Sequence, residues 1–201
     1  MTLSVGNGII ARTIEPFKRE EGNTDQKGAW SMTVQEGNIV LYGANGVCRI
    51  DDVRTEKLGT EVRTYYILKP IRNGSSTIFV PKDNLALVGQ MQDLLSADGI
   101  DILLRECAQA EETARITDAR ARAEHYKNVL SSGERSLILH SLRMLYIHRL
   151  ELGAKGKQLC ASDETFFSRA EDVFVDEIST VLSLSREEAR AYLYRGLGLE
   201  K

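Results

Sequence analysis

Apolar and polar positions alternate with a period of two over residues 36–90, and from residue 96 the period lengthens to that of a helix. Residues 37–43 (GNIVLYG) read as a half-buried strand, and Ala44, Asn45 and Gly46 as a tight turn. Residues 47–53 (VCRIDDV) predict a second strand. Gly59 marks a polar turn before residues 61–71, which carry Tyr65, Tyr66, Ile67 and Leu68. Asn73-Gly74 is the strongest hairpin signal in the chain. It leads into residues 76–80 (STIFV), closed by Pro81, which cannot donate to a ladder. Four or five short strands in so few residues predict a small curled sheet or barrel of the SH3/Tudor type.

The helical half begins at Ser96, a capping residue ahead of Ile100, Leu103, Leu104 and Cys107. After a break near residues 110–117, Asp118 caps a second helix running to about Leu130. A third follows Ser132, Gly133 and Glu134, with Ile138, Leu142, Leu145 and Leu152 as its apolar stripe and Leu139, Tyr146 and Leu150 widening it. Gly153 and Gly156 end it. Ser162 and Asp163 open a fourth helix with Phe166, Ala170, Val173, Phe174, Ile178 and Val181, and Ser185 to Glu188 forms a capping box for a last helix through Leu193 and Leu197. The predicted class is α+β in two domains: a β-module over residues 36–90, then an all-α bundle over residues 91–201.

Residues 1–35 carry too little apolar surface to offset ordering entropy and predict a flexible leader. Codons for Lys27, Gly28 and Ala29 can also spell a purine-rich ribosome-binding sequence. Met32 is therefore a candidate start, with residues 1–31 as an extension. A genuine flexible tail is the other reading.

Across 201 residues, 26 Lys and Arg stand against 29 Asp and Glu, a net charge of −3 that excludes a globally basic nucleic-acid coat. No apolar run approaches the roughly 20 residues of a membrane helix, and no secretory signal opens the chain. Cys48, Cys107 and Cys160 are odd in number and widely spaced, which predicts reduced thiols and a cytoplasmic protein. Charge is nonetheless unevenly placed: residues 113–160 hold nine basic against four acidic residues, and all three histidines. Arg115, Arg120, Arg122 and Lys127 surround one predicted helix, with Lys155 and Lys157 in a following loop. Such a face suits phosphate through counterion release, or is simply solvated.

No catalytic constellation emerges. His125, His140 and His148 lack ligand spacing, and His140 reads as a structural residue beside the core. No glycine-rich loop has phosphate-cradle spacing, and Asp51 and Asp52 are neighbours on a strand and so face opposite ways. The expectation is a protein that is not an enzyme and takes no metal, cofactor or small-molecule substrate.

An ordered set of positions is more specific than any one of them. Gly37, Val40, Tyr42, Gly46, Val47 and Ile50, then Tyr65, Tyr66 and Leu68, then Val80, Pro81, Asp83, Asn84 and Gly89 resemble the opening module of the CarD/CdnL family of bacterial transcription regulators. That module also occurs in the transcription-repair coupling factor. Ser132, Gly133 and Glu134, the helix of residues 137–150, and Glu164, Ala170, Val175, Glu177 and Ile178 continue the resemblance to about residue 197. It implies a Tudor-like module that docks on the lobe of the RNA polymerase β subunit, and a helical domain that reaches upstream promoter DNA.

On this chain the polymerase-facing residues would be Thr77, Ile78 and Phe79 on an edge strand, with Arg54, Lys57 and Arg72 as a basic rim. Backbone contact with DNA, independent of sequence, would fall to Arg115, Arg120, Arg122 and Lys127. One departure stands out. Relatives carry a wedging Trp before the Ser-Gly-acid motif, where this chain has Ala119 or its neighbour; its one Trp is Trp30, in the leader. A protein–protein adaptor that uses the same β-module without DNA is the rival reading.

Overall fold

The computed structural model describes residues 34–58, 61–72, 74–113 and 115–199. The expectations for the leader and for Met32 fall on residues outside that set. Val34–Lys201 forms one compact unit, and no helix among the described residues is long and apolar enough to cross a membrane.

Five strands, β1 (Ile39–Tyr42), β2 (Val47–Leu58), β3 (Glu61–Pro70), β4 (Ile78–Pro81) and β5 (Met91–Asp93), form one antiparallel sheet in the order β4-β3-β2-β1-β5. A one-turn helix, α1 (Leu85–Val88), separates β4 from β5. The α+β expectation holds. Among the described residues β4 and β5 are the two edges of the pairing, with no ladder joining them into a barrel.

The hairpin signalled by Asn73-Gly74 is present as the antiparallel pairing of β3 with β4. Leu68 pairs with Ile78, and the connection spans the residues between Pro70 and Ile78. The sheet also runs past residue 90, since Met91 pairs with Tyr42 in β5.

The period-two pattern explains which face is buried. Register places Val40, Tyr42, Cys48, Ile50, Leu68 and Val80 on one face, and all are buried. The opposite face of β1 and β2 presents Leu41 and Val47, which pack on Val173 of a helix. The ladder between β2 and β3 shifts register between Ile50 and Asp52. This bulge takes Asp51 out of the alternation, where it meets Lys69 at 2.6 Å and Arg49 at 2.8 Å, while Asp52 pairs with Arg54 at 3.1 Å. The two neighbouring carboxylates are thereby committed to different cations.

The helices are α2 (Ala97–Gln109), α3 (Ala119–Ser132), α4 (Arg135–Ala154), α5 (Ala161–Leu182) and α6 (Arg186–Gly196). Their starts follow the sequence signals. Ser96 accepts from the Gly99 amide at 3.1 Å and Asp118 from the Ala121 amide at 2.8 Å. Ser185 and Glu188 form the reciprocal capping box. The stripe of α4 is buried at Ile138, Leu139, Leu142 and Leu145, but Leu150, expected to widen it, is exposed. The helix α4 ends at Ala154, between Gly153 and Gly156 as expected, with Gly156 at φ +66°. These faces, with Phe166, Phe167, Phe174, Ile178 and Leu193, make one apolar core.

A polar hub locks sheet to helices. Glu177 of α5, with 1% of its surface exposed, accepts from the Leu95 amide at 3.0 Å and from both Nε (3.0 Å) and Nη2 (2.8 Å) of Arg135. Arg135 also donates to Gln92 Oε1 and to the Asp93 carbonyl, each at 2.7 Å. Gln92 in turn donates to the Gly133 carbonyl at 2.9 Å. Gly133 has φ +67°, and a Cβ there would lie 3.3 Å from Gln92 Nε2. The left-handed backbone favours glycine there, and the space beside Gln92 is tight.

Removing Arg135 strands a buried carboxylate. The expected outcome for Arg135→Ala is a loss of about 3–5 kcal/mol in stability, read from urea unfolding of the full chain. Ser185→Ala, which removes only a cap, costs about 1 kcal/mol in the same measurement.

Candidate functional site

Strand β4 is an edge, as its sequence implies, and its outward side is short. Lys82 N–H donates to the Thr64 carbonyl at 2.8 Å, which fixes the phase of the ladder. Ile78 and Val80 therefore turn their backbone groups toward β3, and Phe79 turns its N–H and C=O outward. Pro81 has no N–H to offer, and its carbonyl accepts from the Asn84 amide at 3.1 Å. The open stretch of ladder is centred on Phe79.

Side chains on this edge divide as the alternation predicts. Val80 is buried, Ile78 is half-buried and Thr77 is exposed. Phe79 is 48% exposed and meets Tyr65 edge-on, with ring centroids 6.2 Å apart and planes at 82°. Tyr65 sits across from Arg54 on β2, so Arg54, Tyr65 and Phe79 share one face. Arg54 itself is exposed and ion-paired with Asp52 at 3.1 Å and Glu56 at 3.7 Å.

The other two rim residues are elsewhere. Lys57 pairs with Val62 on the opposite face of the β2–β3 ribbon. Arg72 reaches α5 and pairs with Asp172, which also binds Arg186 at 2.8 Å. The structure thus joins Arg54 to the Phe79 surface and separates Lys57 and Arg72 from it.

The basic set around α3 divides more sharply. Ala119, Arg120 and Lys127 are exposed at α3, and Arg115 is exposed in the segment before it. Arg120 and Lys127 are seven residues apart and share a helix face, while Arg122 lies about 200° round from Arg120. Arg122 points inward and retains only 6% exposure.

Its Nε lies 3.0 and 3.1 Å from the two carboxylate oxygens of Asp163 on α5. Its Nη1 donates to the Ile116 carbonyl at 2.9 Å and the Thr117 carbonyl at 3.3 Å. The expected DNA contact at Arg122 is corrected on this ground, because the guanidinium is spent inside the fold. Asp163 holds Arg122 above its ordinary pKa.

Sequence periodicity carried a signal for this pair. Arg122 is in step with Tyr126 and Val129 on the inward stripe of α3, and Asp163 with Phe166, Phe167 and Ala170 on that of α5. Opposite charges at two inward positions mark a buried ion pair. Glu177 stands on the α5 stripe in the same way.

The three thiols differ in environment. Burial pushes Cys48 up to about 12 and Cys107 to about 11. Cys160, at the start of α5, is exposed, and the Ser162 hydroxyl and the Asp163 amide hold its thiol below the ordinary range. Among the described residues no group of three His, Cys, Asp or Glu is placed to hold a metal ion.

With this geometry in place, the comparison with known families is specific for the sheet. Residues 34–94 match the family model of the CarD-like/TRCF RID domain, spanning β1 to β5 and ending before α2. The class so defined is a transcription-related protein-interaction domain, here followed by five helices. No curated protein matches the chain.

Two outcomes follow from the burial pattern. Arg122→Ala lowers the melting temperature of the chain, with a loss of about 3–5 kcal/mol, whereas Arg120→Ala stays within about 0.5 kcal/mol of the parent. Iodoacetamide at neutral pH modifies Cys160 well before Cys48 or Cys107, as peptide mass spectrometry of a labelling time course reads directly.

Proposed function

We propose that the chain is a bacterial, cytoplasmic transcription regulator that docks on the lobe of the RNA polymerase β subunit through the β4 edge. The observation that carries this reading is the half-exposed Phe79, outward in both ring and backbone, on the edge strand of the segment that matches the RID family. A strand of the partner would pair with the Phe79 N–H and C=O, and the Phe79–Tyr65 pair would supply apolar contact. Arg54 would add an adjacent charge for an acidic rim. Thr77 and Ile78 would flank the pairing, while Lys57 and Arg72 would have minor parts.

The helical half would then lie near promoter DNA, with Arg120 and Lys127 as the phosphate-facing pair, while Arg115 is engaged by His148 at 2.9 Å. Such contact is salt-sensitive and independent of sequence. With Ala119 in place of an aromatic wedge, it would not hold unstacked duplex. The burial of Arg122 favours a second reading, in which the helices meet protein and not DNA. No catalytic role is part of either reading.

The test is binding of the full chain to the isolated β lobe. Phe79→Ala weakens binding about tenfold while leaving the melting curve intact. Equal affinity of parent and variant removes the edge from the mechanism. For the DNA half, the Arg120→Ala/Lys127→Ala pair lowers promoter open-complex yield without affecting lobe binding. Unchanged yield leaves the adaptor reading.

A further inference from the structure

Helices α2 and α6 enclose a groove of about 370 Å³, on walls that both lie outside the segment matching the RID family. Small-molecule sites run from about 300 to 1,000 Å³, so the groove has room for a ligand. Its floor is apolar, built from Leu104 and Ala108 of α2 with Gly196 and Tyr192 of α6. A Cβ at Gly196 would lie 2.7 Å from Leu104 Cδ1. Glycine there lets the two helices close on each other and keeps the floor free of a side chain at that point.

The rim is charged. Arg105 of α2 and Arg195 of α6 are both exposed, and both line the groove. Asp101 stands one turn before Arg105 on α2, the spacing at which a carboxylate pairs with an arginine along a helix. That pair is not made. The Tyr192 hydroxyl donates to Asp101 Oδ1 and draws the carboxylate toward α6. The same contact is the chief reason the Tyr192 hydroxyl stands above its ordinary pKa. Among the described residues no carboxylate forms an ion pair with Arg105.

A guanidinium without a carboxylate, beside a second cation and an apolar floor, suits an anion with an apolar body. Charge selects among such anions. Arg105 and Arg195 against Asp101 leave the rim with one positive charge, which matches a monoanion and disfavours a phosphate dianion. A planar carboxylate also fits the fork of an arginine.

We propose that the α2–α6 groove binds an amphipathic monocarboxylate, with the carboxylate on Arg105 beside Arg195 and the apolar chain over Leu104, Ala108 and Gly196. The Tyr192–Asp101 contact belongs to the site, because it keeps Asp101 off Arg105. The β4 edge plays no part in it, so the groove and the docking edge stand or fall separately.

The test is an NMR titration of the full chain with sodium octanoate at neutral pH, read from backbone amide shifts, with octanol as the uncharged probe. Octanoate gives saturable shifts confined to α2 and α6 with a Kd of about 1 mM. Octanol at the same concentration leaves those amides largely unmoved. Arg105→Ala, at an exposed position, weakens octanoate about tenfold with the melting temperature unchanged. Asp101→Asn keeps an acceptor for Tyr192 while removing the negative charge, and it tightens octanoate severalfold. Ala108→Leu fills the floor and abolishes saturation, with far-UV circular dichroism showing the helices intact. Shifts spread over the surface without saturation, equal response to octanol, or an unchanged Kd in Arg105→Ala or Asp101→Asn overturns the proposal.

Discussion

A carboxylate with no access to water needs donors on every side, and Glu177 organises the molecule by that need. Its partners come from two stretches distant in sequence: residues 92–95, through the Leu95 amide and the Gln92 side chain that Arg135 binds, and Arg135 itself at the start of α4. None of these can shift without leaving a buried charge or amide unpaired. Asp163 repeats the device nearer the start of α5, where it draws Arg122 inward from α3. One helix thus holds two neighbours through ionic contacts and packs the sheet through Val173. Net stabilisation by such pairs is small against an apolar alternative, while the penalty for a mismatched arrangement is several kcal/mol, so they act on which packing forms.

Much of the fold was legible because local signals and burial agreed. The caps at Ser96, Asp118 and Ser185, the stripe of α4 and the edge character of β4 all follow from residue type and spacing. The misses have one cause in common: a long-range partner that local chemistry does not reveal. Residues 91–93 look like the end of a module until β1 is alongside to pair with them. Arg122 and Arg120 are both surface-like in composition, and only the helical phase against Tyr126 and Val129 separates them.

The candidate site was legible to a similar depth. Alternation puts Ile78 and Phe79 on opposite faces of the strand, but which of the two turns outward shows only once β3 is alongside. The basic rim did not follow from composition, because Arg54 and Lys57 lie an odd number of residues apart on β2 and so face opposite ways, and Arg72 lies beyond β3. Arg72 illustrates the difficulty: its charge is matched by Asp172, a residue one hundred positions away in sequence. Asp172 in turn is shared with Arg186, so this surface is a chain of alternating charges running from the sheet to α6.

The short open stretch of β4 has a bearing on solubility. An edge strand with a full row of free donors and acceptors invites copies of itself, and sheets extended in this way grow into fibres. Here Pro81 removes one donor and Asn84 occupies the neighbouring acceptor, so a second β4 laid alongside would find little to bond beyond Phe79. The same strand that is open enough to be completed by a well-shaped visitor is too poor a template for its own kind.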